Sequence, residues 1–187
     1  MNGLALAALL VWIVLCGASL RAWVPPAPTN RRPFLGRVSG LVTVVLVAML
    51  GTGAVAVLAA FAPPLRGPWH WLSFGIALVA ALLTGGPVTS CLLAIADQAS
   101  REQGPRVHRT ILRGGAWIGA VERVAMAASI LTGWTTGIAV IIAVKGLGRY
   151  PEIKSGQGTG VAERFILGTF VSLGWAAACA GIALLLV

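Results

Sequence analysis

Apolar residues run along this chain in long blocks separated by short polar ones. The blocks show neither the strict alternation of a half-buried strand nor the single apolar stripe of a surface helix. They cover residues 3–20, 39–61, 71–96, 117–144 and 161–187. A helix rises about 1.5 Å per residue, and a bilayer core is about 30 Å thick. These lengths predict an all-α, integral membrane helical bundle forming a single transmembrane domain over 1–187.

The connections refine that outline. No positive charge precedes the first block, and Arg21 follows it, so it reads as a retained helix with its N-terminus outside rather than as a cleaved signal. Residues 21–38 carry Pro25, Pro26, Pro28 and Pro33 among Arg31, Arg32 and Arg37, which marks a cytoplasmic connection. Residues 62–68 form a short outer turn, with Trp69 and Trp71 positioned for the headgroup level. The polar stretch 97–115 places Arg106, Arg109 and Arg113 on one face if it is helical. That face either lies against anionic headgroups or is a solvated loop that sets topology.

Two blocks contain breaks. In 71–96 the run Thr84-Gly85-Gly86-Pro87 predicts an interrupted helix, with Thr84, Thr89, Ser90 and Cys91 supplying small polar groups nearby. Either Ser/Thr side chains satisfy a proline kink, or an unwound segment binds a polar solute. In 117–144 the run Gly133-Trp134-Thr135-Thr136-Gly137 is a poor helix former and a plausible turn.

Charge decides between two topologies for that fourth block. As one helix through Lys145 it would be about 43 Å long, and the Lys and Arg residues would divide nine to five across the membrane. Folded back at 133–137, thirteen of the fourteen lie on the cytoplasmic side, with Arg66 the exception. The positive-inside rule favours the fold-back. The expected segments are then 3–20, 39–61, 71–96, 117–132, 136–148 and 162–187. The two hairpin arms would be only about 24 and 20 Å long, so the hairpin either crosses a thin bilayer or re-enters.

Composition supports a membrane and excludes little else. Hydrophobic residues make up 58% of the 187 and charged ones 10%, against about 25% charged in a soluble domain. Mean hydropathy is +0.91. The net charge of +9 sits between apolar runs, which is topogenic charge rather than a nucleic-acid surface. Twelve Arg against two Lys, with abundant Ala, Gly and Val, points to a GC-rich bacterial genome and so to the inner membrane. Cys16, Cys91 and Cys179 lie inside apolar runs, and His70 and His108 stand apart, so neither a metal site nor a cofactor is expected.

The fold-back carries candidate chemistry. Glu122 lies 13 residues before Thr135 and Lys145 lies 10 after it, so their depths agree. Lys145 and Arg149 are i, i+4, and Glu163-Arg164 opens the last helix on the same side. Seven ionisable groups would converge at the cytoplasmic edge: Glu122, Arg123, Lys145, Arg149, Glu152, Glu163 and Arg164. They read either as interfacial ion pairs holding the hairpin or as a site for an anionic headgroup, phosphate or carboxylate. Small residues such as Gly115, Gly119 and Ala176 to Gly181 favour close helix approach, within the chain or to another copy. The run Gly156-Gln157-Gly158-Thr159-Gly160 has no strand before it and reads as a loop.

Residues from about 115 to 173 also carry a motif pattern. Trp117-Ile118-Gly119 is followed by Glu122-Arg123. Ala143-Val144-Lys145 precedes Arg149-Tyr150. Ala162-Glu163 precedes Ile166-Leu167-Gly168-Thr169 and Ser172. This resembles an uncharacterised bacterial polytopic membrane protein family, a domain of unknown function, in which the motifs I-G-x-x-E-R, A-A-K-x-x-x-R-F and A-E-x-x-L-I-G-T-x-x-S recur. The resemblance implies a shared structural unit and no activity.

The leading expectation is therefore binding or translocation of a small polar or anionic solute, or a lipid headgroup. Arg123, Lys145 and Arg149 would hold the anion, and Glu122 and Glu163 would position them or carry a proton. Thr84, Thr89 and Ser90 would line the broken span. A second expectation is a membrane-embedded enzyme acting on a lipid or isoprenoid substrate, with Glu122 or Glu163 as general acid. Ser90, Cys91 and Ser129 have no base nearby in sequence. A third is an accessory subunit of a membrane complex. The bilayer, an anionic lipid or ligand, and a second copy or complex partner are the expected partners.

Overall fold

The computed structural model describes residues 38–100, 114–154 and 159–187, together with Val11 and Val14. The segment predicted at 3–20, the connection 21–37 and the arginines of 101–113 lie outside the described residues, apart from those two helical valines. Five helices and no strand occur among the described residues: α1 (Val38–Phe61), α2 (Pro68–Ser100), α3 (Gly114–Leu131), α4 (Thr135–Lys154) and α5 (Thr159–Leu185). Two stretches, Pro68–Ala96 and Ala162–Leu185, are long and apolar enough to cross a membrane. Val45–Phe61 and Thr135–Gly148 are shorter apolar stretches.

Helices α2, α3 and α5 pack on one another and form the centre; α1 lies against α2 and α5, and α4 chiefly against α3. Helices α2 and α5 are antiparallel. Gly168 lies against Leu93, and Trp175 reaches Thr84. At one end the Leu65 N–H donates to the Leu186 carbonyl at 2.7 Å, so the α1–α2 turn sits beside the end of α5.

The packing is inside out relative to a soluble domain. Ala59, Ala77, Ala80, Ala81, Ala127, Ala176, Ala180 and Ala183 are fully buried. Many large apolar side chains face outward, Phe61 79% exposed, Trp117 77% and Phe170 75%, while Val55, Leu173, Trp175, Ile182 and Leu186 are buried among the alanines. Small interior residues let helix backbones approach closely. Soluble monomers rarely expose apolar area on this scale.

The third predicted span differs from expectation. Helix α2 is continuous through Pro87. Thr84, Thr89 and Ser90 donate back to the carbonyls of Ala80, Gly85 and Gly86 in their own helix. No unwound segment forms: Pro87 removes only the bond to the Leu83 carbonyl, and the helix runs on through it. The hairpin turn is tighter than the expected 133–137. It occupies 132–134, with Gly133 at φ 69°. Trp134 N–H donates to the Ser129 carbonyl and Gly133 N–H to that of Ile130. This six-to-one and five-to-two pairing is a Schellman ending, which requires only one left-handed residue. Thr135, Thr136 and Gly137 are then free to open α4.

The arms are also longer than expected, 18 residues for α3 and 20 for α4. Helix α4 continues past Gly146 and Gly148, which reduce helix propensity without forbidding the conformation.

Candidate functional site

Glu122, Arg123 and Lys145 lie near the middle of their helices. Arg123 lies nine residues from Gly114 and eight from Leu131 along α3. Its partner Ser172 lies thirteen residues from either end of α5. Lys145 lies ten residues from Thr135 and nine from Lys154. Ala81 and Leu82 are thirteen and fourteen residues into α2. The layer therefore passes through the midpoints of α3, α4 and α5 and within about three residues of the midpoint of α2.

Arg123 is the centre of that level and is only 7% exposed. Its Nε–H donates to the Ala81 carbonyl at 3.1 Å, Nη2 to the Leu82 carbonyl at 3.3 Å, and Nη1 to Ser172 Oγ at 3.3 Å. Helix α3 thus grips the turn of α2 just before Gly85-Gly86-Pro87. The glycines make the socket. A Cβ on Gly85 would lie 2.4 Å from Arg123 Cδ and 2.8 Å from Nε. One on Gly86 would lie 3.5 Å from Nη2, and one on Gly119 3.4 Å from Nη1. Glycine at 85 is therefore required for space.

A second bond fixes the same layer. Trp175 Nε1–H donates to Thr84 Oγ1 at 2.7 Å, while Thr84 itself donates to Ala80. A buried hydroxyl that both donates and accepts leaves no polar group orphaned.

Glu122, next to Arg123 in sequence, points to α4 and forms an ion pair with Lys145. Both side chains are half-buried, at 16% and 15% exposure. The pair joins the two arms of the hairpin at the depth that the spacing from the turn predicts.

The remaining expected members do not join this layer as a group. Glu163 and Arg164 are exposed near the start of α5. Glu163 is nine residues from Ser172, about 13 Å along the axis. The side chains of Arg149 and Glu152 lie outside the described residues. Thr84 takes part in the layer through Trp175, and Thr89 and Ser90 are bonded within α2. His70 Nδ1–H donates to the Gly67 carbonyl at the α1–α2 turn, far from the charged layer. Gly119 belongs to the Arg123 socket rather than to a helix–helix contact.

Sequence reading did not assign Ser172, Trp175 or Thr169. Ser172 and Thr169 share one helix face at i, i+3 with small or apolar neighbours, and nothing local in that pattern points to an arginine on another helix. Thr169 Oγ1 is buried and has no hydrogen-bond partner among the described residues. The three motifs of the C-terminal half supply Gly119, Glu122, Arg123, Lys145, Gly168 and Ser172, and all but Gly168 lie at the charged layer.

No family model matches the chain, and neither a curated protein nor a solved structure matches it.

Proposed function

We propose that this chain is a multi-pass protein of the bacterial inner membrane that binds or translocates a small polar or anionic solute at a charged centre near mid-bilayer. The observation carrying the reading is that Glu122, Arg123 and Lys145 lie at the midpoints of α3 and α4, where Arg123 reaches the middle of α5 and a point within about three residues of the middle of α2. Ionisable groups at that depth cost about 3 kcal/mol each on insertion scales and generally mark solute or ion pathways. The alanine interior and the Leu, Val, Phe and Trp exterior support a lipid surround. At about 15 Å from either interface, such a centre suits a small solute better than a lipid headgroup.

The topology has independent support. With the α3–α4 hairpin, the α1–α2 turn and the end of α5 fall on the same side, as the Leu65–Leu186 bond requires. A single uninterrupted fourth helix would put them on opposite sides. Residues 62–67 then lie outside and 97–113 in the cytoplasm. Helix α4 is about 30 Å long but apolar only over Thr135–Gly148, about 21 Å, so the hairpin either crosses a thin bilayer or re-enters.

A second reading, as a subunit of a membrane complex, is favoured by α4. It packs chiefly on α3 and leaves Val140, Ile142, Val144 and Leu147 exposed. The enzyme reading is weaker, because of its two general-acid candidates Glu122 is ion-paired with Lys145 and Glu163 is exposed rather than set in a closed apolar pocket.

Single-cysteine variants in a Cys-free background test the reading. A cysteine at position 154 should resist an impermeant thiol reagent added from the periplasm, and one at position 66 should react. Native mass spectrometry of the wild type should show a small anionic species that Lys145→Met loses. Periplasmic labelling at position 154 would overturn the topology and the shared centre with it. A Lys145→Met protein carrying the same species as wild type would overturn the binding role.

A further inference from the structure

Arg123 brings to the middle of the bundle a charge that the middle of the bundle does not neutralise. Its acceptors are two carbonyls and a hydroxyl, all uncharged. Glu122, its sequence neighbour, is matched by Lys145. Glu163, the other carboxylate whose side chain is described, is exposed about 13 Å along α5 from Ser172. The layer of Glu122, Arg123 and Lys145 therefore carries one net positive charge. An uncompensated charge in low-dielectric surroundings costs several kcal/mol.

The donors around that charge are also in excess. A guanidinium has five N–H groups. Three are engaged by Ala81, Leu82 and Ser172, which leaves one on each terminal nitrogen. Ser172 accepts from Arg123, so its own O–H is a donor. One turn away on the same face of α5, the buried Thr169 hydroxyl has no partner among the described residues. Side chains three apart on a helix stand about 5–6 Å from each other at Cβ, near enough for both hydroxyls to reach one ion.

We propose that Arg123, Ser172 and Thr169 form a binding site for a small monovalent anion of about the size of chloride. The net charge of one sets the valence. Burial sets the size, since Arg123 is only 7% exposed. The anion accepts from a terminal guanidinium N–H and from both hydroxyls, a charge-assisted set that needs no metal. This proposal rests on the reading of a mid-bilayer solute site and names its ligand class.

Thermal unfolding of the detergent-purified protein in sodium chloride, against sodium gluconate at equal ionic strength, tests it. Wild type should melt several degrees higher in chloride, with a saturating dependence. Thr169→Val should bind chloride about tenfold more weakly, the worth of one charge-assisted hydrogen bond. It should melt no lower than wild type in gluconate, because its hydroxyl has no partner among the described residues, and Thr169→Ser should keep the chloride response. Equal melting of wild type in both salts overturns the site. So does a chloride response unchanged in Thr169→Val, which would mark adventitious surface binding. A Thr169→Val protein already destabilised in gluconate overturns it too, by showing that the hydroxyl has a structural partner. Any of these results, with position 154 still shielded from the periplasm, removes the anion site and leaves the membrane reading intact. Periplasmic labelling at position 154 removes the reading beneath it.

Discussion

Two glycines carry different duties at the residue scale. Gly85 is glycine because the guanidinium of Arg123 fills the place of its Cβ. Gly85→Ala should displace Arg123 from the Ala81 and Leu82 carbonyls and destabilise by about 3 kcal/mol, combining overpacking with weakened charged hydrogen bonds. Gly174 has nothing within 4 Å of its Cβ position. Gly174→Ala should leave the melting temperature unchanged or higher, since alanine is the better helix former. Comparing the two by thermal melts in the same detergent separates socket from propensity. Trp175→Phe keeps the ring in place and removes the bond to Thr84, with an expected loss of about 1 kcal/mol in the same assay.

The hairpin is the element where local and tertiary terms meet. Its turn rests on Gly133 at φ 69°. Gly133→Ala should cost about 1 kcal/mol through left-handed strain while leaving helix content by circular dichroism unchanged. Its arms are joined at mid-height by Glu122 and Lys145. Glu122→Gln leaves an ammonium without its carboxylate and should cost about 3 kcal/mol, the low end for a broken buried pair because both groups keep some exposure. The charge swap Glu122→Lys with Lys145→Glu should recover most of that loss in a double-mutant cycle. Equal stability of Glu122→Gln and wild type would show that the pair does not hold the hairpin.

For the whole molecule, the arrangement of ends is the sharpest consequence of the fold. The Leu65–Leu186 bond places the α1–α2 turn beside the end of α5. Cysteines at positions 65 and 186 should cross-link with a short bismaleimide in native membranes, and cysteines at positions 65 and 154 should not. The open flank of α4 makes a second expectation: aromatic substitutions at Val140 or Val144 should leave the monomer's stability within about 0.5 kcal/mol of wild type. If α4 docks a partner, the same substitutions should shift the native molecular mass in mild detergent.

The block pattern of apolar residues determined the helical class, and the glycine-bracketed run at 133–137 located a turn. Both are local signals, written within one helix length of the residues that respond to them. Depth agreement across the turn also made the meeting of Glu122 and Lys145 legible, because a hairpin converts sequence distance from its tip into height. The sequence could not show where Arg123 goes. Its acceptors lie 41, 42 and 49 residues away on two other helices, and that distance is bridged only by packing. For the same reason Gly85-Gly86-Pro87 read as a break in a helix, when in the folded molecule it is the room an arginine needs. The level of the charged layer was likewise a tertiary result: only when α2, α3, α4 and α5 are brought side by side do Ala81, Leu82, Arg123, Lys145 and Ser172 share one level.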